Sequence, residues 1–243
     1  MQVNFKDLKI KIFADGADLD SMQKLNKISY IKGFTTNPTL MRKAGVSDYK
    51  RFALDVLKVI KDKPISFEVF ADDIKEMENQ AMEIASWGKN ANVKIPITNT
   101  KGDSTVELLK RLSTRGVVCN VTAIFTLDQL SKVLKVLNSK TPAILSVFAG
   151  RIADSGIDPT KIMQESVKLA KVKPKSEILW ASTREIINIF QAEAAGCEII
   201  TVPHNILNKL TGVGKDLNKI SLETVEMFYK DAKAAGYTIN TKK

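Results

Sequence analysis

Histidine is nearly missing from these 243 residues: His204 is the only one. That scarcity excludes a His-rich metal site and a Ser/His/Asp triad elsewhere in the chain, and it leaves Lys, Asp, Glu and Tyr for acid–base or nucleophilic work. Cysteine is almost as rare. Cys119 and Cys197 lie far apart inside apolar runs, and so few read as two buried free thiols rather than a disulfide framework. No stretch approaches the roughly 18 continuous apolar residues of a membrane span. The opening segment MQVNFKDLKIKIFADGADLD has no apolar signal-type core, so the expectation is a cytoplasmic protein. Low-complexity tracts and blocks of like charge are also missing, and 44% hydrophobic with 26% charged residues is an ordinary globular balance.

Charge is the first thing present in excess. The 37 Lys and Arg against 27 Asp and Glu give a formal +10, which favours anionic partners such as phosphorylated metabolites or nucleic acid. The lysines are spread over the polar helix faces, without a basic arm, an RNP-like aromatic motif or a zinc finger, and the ten phenylalanines show no base-stacking pattern. A solvated lysine-rich surface is the better reading.

The length suits one α/β barrel or two ordinary domains, and the order of elements decides between them. Eight short, β-branched runs recur: Lys9 to Ala14, Gly33 to Asn37, Ile65 to Phe70, Val93 to Ile97, Val117 to Thr122, Ala143 to Phe148, Glu177 to Ser182 and Glu198 to Pro203. Between them lie amphipathic segments with apolar residues at three and four, such as Tyr49, Phe52, Ala53, Val56 and Ile60, or Leu127, Leu130, Leu134 and Leu137. Ser47, Asp72, Thr126 and Asp158 stand where helix caps belong, the last followed by Pro159 at a first helical position. Eight strand–helix units, with no G-x-G-x-x-G after the first strand, predict one α/β domain over 1–243, a closed (β/α)₈ TIM barrel. A further helix over about 221–236 would pack under the barrel or reach a neighbouring subunit.

A barrel of this kind keeps its chemistry at the C-terminal ends of its strands, and polar residues gather there. Asp15 ends the first run, Asn37 the second, Glu68 sits late in the third, Lys94 interrupts the fourth, and Asn120 and Thr122 close the fifth. Ser146 and Arg151 flank the end of the sixth, and Ser182 and Arg184 close the seventh. Alternation places Ser66, Glu68 and Phe70 on one face of their strand, and Asn92, Lys94 and Pro96 on one face of theirs. Any one of these polar residues alone reads equally as a rim charge or a buried ion pair; all at strand ends together point to a site. Lys94, amid valine, isoleucine and proline, carries a desolvation cost that favours its neutral, carbonyl-attacking amine. Asp15 and Glu68 could move the protons that Schiff-base chemistry needs. Arg151 and Arg184 offer guanidinium forks to a phosphate, with Ser182 adding a hydroxyl. Trp87 and Trp180 read as core residues, and His204 as a loop or capping residue that lysine chemistry does not need. No metal or organic cofactor is indicated.

The segments FTTNPTL (Phe34 to Leu40), VKIP around Lys94, CNVT (Cys119 to Thr122), SVFAGRI (Ser146 to Ile152), ASTR (Ala181 to Arg184) and AGCEIITVP are familiar together. In this order, over most of the chain, they resemble the transaldolase family. The resemblance implies a Schiff base on Lys94 that holds a dihydroxyacetone unit, Asp15 as general acid/base, and Glu68 and Thr122 around the catalytic water. It implies hydroxyl contacts from Asn37 and Ser146, with Thr35, Asn120 and Phe148 as further substrate-binding positions, and a phosphate site at Arg151, Ser182 and Arg184. The substrates implied are sugar phosphates, a ketose phosphate donor such as sedoheptulose 7-phosphate or fructose 6-phosphate and an aldose phosphate acceptor, within pentose phosphate metabolism. The protein is expected to be a homo-oligomer with no nucleic-acid or membrane partner. The related fructose-6-phosphate aldolases, which release free dihydroxyacetone, tend to carry glutamine in place of Glu68 and tyrosine in place of Phe148, so transfer is the favoured activity. Three positions depart from the transaldolase pattern: Val147 replaces a proline, Gly16 a threonine or serine, and Thr183 an aromatic. A third reading, from another class, is a non-catalytic barrel that binds anions through its basic surface.

Overall fold

The computed structural model describes residues 7–241. Eight parallel strands close on one another in sequence order: β1 (Lys11–Asp15), β2 (Ile31–Thr35), β3 (Ile65–Glu68), β4 (Ala91–Pro96), β5 (Cys119–Ile124), β6 (Ala143–Val147), β7 (Ser176–Trp180) and β8 (Ile199–Pro203). Helices alternate with them. The described helices are α1 (Leu19–Asn26), α2 (Pro38–Lys43), α3 (Tyr49–Val59), α4 (Ile74–Ser86), α5 (Val106–Thr114), α6 (Leu127–Val136), α7 (Ala149–Asp154), α8 (Thr160–Ala170), α9 (Ile187–Ala194), α10 (His204–Leu207) and α11 (Leu217–Ala234), with a 3₁₀ turn at Asn208–Gly212. This is a (β/α)₈ TIM barrel with an added C-terminal helix.

Two cores follow from strand parity. Outward-facing residues such as Ile12, Phe67, Val93, Val121 and Leu145 pack with the inner faces of the helices in one large cluster. The apolar filling of the barrel itself is small: Phe13, Ile144, Leu179, Ala181 and Ile199, with Phe148 against them. The Phe13 ring sits where a side chain at Gly33 would be, since a Cβ there would lie 2.6 Å from its Cζ. Much of the remaining interior is polar. Asn120, fully buried, donates to Ser66 Oγ (2.9 Å) and accepts from Ser146 Oγ (2.7 Å), so this buried polar layer is satisfied.

The structure corrects the sequence reading at element ends. The caps of α3 and α4 are Asp48 and Asp73, not Ser47 and Asp72. Where two capping residue types adjoin, the register of the buried helix face selects one, and Asp72 instead accepts from the Thr100 N–H and hydroxyl, tying the loop after β4. Thr126 caps α6 in a full capping box, as expected, whereas α8 begins one residue later than expected: Pro159 stands at its cap position, and Asp158 lies outside the helix and accepts from Thr160 N. β2 ends at Thr35, so Asn37 lies past the strand and caps α2, with Pro38 as its first residue. Arg151 lies on α7, and Arg184 lies in the loop after β7. α11 starts four residues earlier than the expected Ser221, at Leu217 behind the Asp216 cap, and none of its residues is buried; it does not pack under the barrel. Among the described residues no helix is long and apolar enough to cross a membrane.

Candidate active site

The C-terminal mouth of the barrel holds a cavity of about 430 Å³. Of the residues singled out in the sequence, Asp15, Thr35, Asn37, Glu68, Lys94, Thr122, Ser146, Phe148, Arg151, Ser182 and Arg184 all line it. Asn120 does not; it lies one layer lower and spends its amide on Ser66 and Ser146.

The floor is set by register. Glu68 on β3 is the lateral neighbour of Lys94 on β4, and Lys94 of Asn120 on β5. Neighbouring inward-facing side chains on adjacent parallel strands are brought within reach of each other. Lys94 is 7% exposed, and its Nζ lies 3.1 Å from Glu68 Oε2 and donates to the Thr36 carbonyl at 3.1 Å. Desolvation alone is what the sequence suggests for this lysine; the structure adds a carboxylate counter-ion and a carbonyl acceptor. The Thr36 carbonyl is itself fixed, because the Thr36 N–H and hydroxyl both donate to Ser66 O. Tyr49 on α3 donates to the Glu68 carbonyl at 2.7 Å, steadying the strand end that carries the carboxylate.

Across the floor stands Asp15, whose Oδ1 accepts from the Thr35 hydroxyl at 2.7 Å. A small part of Asp15 opens to the cavity while the barrel wall encloses the rest. That enclosure pushes its carboxyl above the ordinary range; Lys94, the Thr35 hydrogen bond and His204 pull the other way without reversing it. Thr35 also shares a hydroxyl contact with Thr201 of β8, and Thr183 donates to the Thr201 carbonyl at 2.7 Å, so β1, β2, β7 and β8 are linked beneath the rim. Thr122 Oγ1 is buried without a hydrogen-bond partner among the described residues, an open valence facing the floor.

The rim is basic. Arg151 lies with its guanidinium 5.4 Å from the centroid of the Phe148 ring. Arg184 is engaged at both ends, with its guanidinium paired to Asp154 of α7 and its N–H donating to Asn188 Oδ1. Between them Ser182 has a left-handed backbone, φ 66°, held by a close approach: a Cβ at Gly150 would lie 1.6 Å from the Ser182 carbonyl oxygen. Asn37 Oδ1 is taken by the Leu40 N–H, which leaves its amide NH₂ for a ligand.

Sequence reasoning missed Thr36, Thr201 and Asp154. Thr36 acts through its carbonyl, which no side-chain identity signals. Thr201 stands alternate to Ile199 and Pro203 in the eighth run, so strand parity would have found it. Asp154 follows a strand end by several residues and reads as a helix surface charge. Among the described residues, no three His, Cys, Asp or Glu side chains gather as a metal site requires.

Fold and site together define a (β/α)₈ barrel whose mouth holds a buried, carboxylate-paired lysine beneath an arginine-rich rim. Residues 12–242 match the Transaldolase/Fructose-6-phosphate aldolase family, and the chain belongs to that family. It is 35% identical over 202 residues to a probable transaldolase of Dehalococcoides mccartyi, covering 83% of this chain and 90% of that one. It is 33% identical to a probable transaldolase of Nitrosopumilus maritimus, covering 91% and 94%. In three dimensions it resembles a putative lyase/mutase from Burkholderia cenocepacia, with a TM-score of 0.58 at 10% identity over 98% of this chain and 90% of that one. That likeness concerns the fold alone.

Proposed function

We propose that the protein is a transaldolase, moving a dihydroxyacetone unit from a ketose phosphate to an aldose phosphate through a Schiff base on Lys94. The observation that carries this reading is the setting of Lys94 Nζ, held between the Glu68 carboxylate and the Thr36 carbonyl on the floor of a cavity with Arg151 and Arg184 at its rim. In this reading the carbonyl end of a sugar reaches the lysine while its phosphate meets the guanidinium groups that line the same cavity.

In this reading Glu68 takes the ammonium proton, and the freed amine adds to the ketose carbonyl to give a carbinolamine. Loss of water leaves an iminium, which draws the electrons of the C3–C4 bond as Asp15 removes the C4 hydroxyl proton. An aldose phosphate departs, and the dihydroxyacetone unit stays on Lys94 as an enamine. Addition to the acceptor aldehyde reverses these steps, with the proton returned from Asp15 to the new hydroxyl; water then releases the product. In this reading the Thr122 hydroxyl, which has no hydrogen-bond partner among the described residues, holds that water together with Glu68. Free, buried cysteines suit a reducing, cytoplasmic setting. The exposed apolar side chains of α11, among them Leu222, Val225 and Phe228, support association into a homo-oligomer, which sedimentation would show as a multiple of the chain mass.

The test is incubation with fructose 6-phosphate, with and without erythrose 4-phosphate, followed by borohydride and peptide mass analysis. A three-carbon adduct on Lys94, with sedoheptulose 7-phosphate formed only when acceptor is present, is expected. Free dihydroxyacetone without acceptor means the aldolase activity instead, and no adduct leaves an anion-binding barrel. Lys94→Ala is expected to abolish both turnover and trapping.

A further inference from the structure

The single histidine has a place in this site that lysine chemistry does not demand. His204 opens α10 directly after β8, and β8 pairs with β1 so that Pro203 lies beside Asp15. Its ring covers the next residue on β1's path: a Cβ at Gly16 would lie 2.5 Å from both its Cε1 and its Nε2. The ring thus fills the volume that any other side chain at position 16 would occupy. Gly16 cannot yield, because its N–H is bonded to the Thr35 carbonyl at 3.1 Å, continuing the β1–β2 ladder. His204 Nε2 is buried and has no hydrogen-bond partner among the described residues. A buried, unpaired ring nitrogen is costly, and such groups cluster where a function retains them.

The charges around the ring are few. Asp15 at the end of β1 and Asp18 at the cap of α1 act on it, and Lys94 acts in turn on Asp15. Lys209, on the turn after α10, is exposed. Burial holds the imidazole below its ordinary range, while the two carboxylates draw it back up. The coupling is mutual, since a charged ring pulls the Asp15 carboxyl down.

We propose that His204 is a positioning residue for Asp15, seated on Gly16 so that the charge of the imidazole and the charge of the carboxylate set one another. The inference deepens the transaldolase reading and rests on it for its consequence in turnover. When the substrate proton arrives on Asp15, the ring loses an attracting neighbour and holds its own proton less strongly; when Asp15 gives the proton up, the ring recovers. His204 takes no part in bond making. It fixes the acidity at which Asp15 is ready.

One histidine gives one pair of imidazole C–H resonances, so the proton NMR titration of His204 reads the coupling without any turnover. Asp15→Asn is expected to lower the His204 midpoint by about one pH unit, the size of a nearby unscreened charge; an unchanged midpoint overturns the proposal. In the second arm His204→Asn and His204→Gln are assayed for transfer across pH. The acid limb of kcat should move while KM for the ketose phosphate stays within about twofold of wild type. A pH profile superimposable on wild type, in variants that melt cooperatively, overturns it as well. Failure of wild type to form a borohydride adduct on Lys94 defeats the transaldolase reading alone, and the NMR arm then decides the coupling by itself.

Discussion

At the scale of single residues, the site trades stability for readiness. Asp15 is held above the ordinary carboxyl value of 3.8 by burial, so the folded protein keeps this proton to higher pH than the unfolded chain. A raised acid contributes nothing unfavourable below 3.8 and costs stability as pH rises past that point. Asp15→Asn is therefore expected to melt above wild type at neutral pH, with the difference vanishing below about pH 4, as thermal denaturation at several pH values would show. Its transfer activity should be lost in the same protein. The rim argues differently. In the proposed function Arg184→Ala removes a charge-assisted contact to the substrate phosphate, about 1.5–3 kcal/mol, and is expected to raise KM about ten- to a hundredfold for phosphorylated substrates and little for free dihydroxyacetone. Asp154→Asn frees the guanidinium and should lower the same KM. Equal KM changes for both substrate types in Arg184→Ala would place the phosphate elsewhere.

At the scale of elements, the mouth depends on two backbones that nearly touch. α7 and the strand end after β7 meet where the Gly150 N–H donates to the Ala181 carbonyl, with the Ser182 carbonyl lying against Gly150. Gly150→Ala must push the left-handed Ser182 turn aside, at a cost of about 3 kcal/mol or more, since backbone cannot rotate away as a side chain can. Both a lower melting temperature and a raised KM for phosphorylated substrates are expected, measured on the one variant. Elements are also where sequence reasoning stopped short. All eight strands were legible from apolar runs, and α3 and α6 from residues at three and four, because burial on one face imposes a period. Where a strand ends, no period remains: Asn37, Ser182 and Arg184 read as strand residues, yet they sit in caps and turns fixed by local backbone geometry. Eleven of the twelve candidate site residues nonetheless line one cavity, since the barrel collects strand ends wherever those strands stop. What stayed hidden was contact made through carbonyls, as at Thr36, and the packing of His204 on a residue 188 positions away, which no local pattern records.

At the scale of the molecule, the two thiols are as inert as their positions in apolar runs suggested. Burial pushes both Cys119 and Cys197 up to about 12. Iodoacetamide at pH 8 should leave the native protein unlabelled and modify both after unfolding, a count that mass spectrometry gives directly. Some of the lysine excess also serves the fold: Lys63, Lys173 and Lys175 each donate to a backbone carbonyl distant in sequence while keeping their charge.

The hydrogen-bonded layer of Asn120, Ser66 and Ser146 occupies the barrel interior. A second cavity, of about 500 Å³, lies at the opposite end beside Lys11, Lys32 and Glu177 and shares no lining residue with the first. With a single lysine on the floor of the first cavity, donor and acceptor must use the same place in turn. For a two-substrate transfer this imposes a queue: the first aldehyde leaves before the second can reach the lysine, and initial rates at several donor concentrations should plot as parallel rather than converging lines.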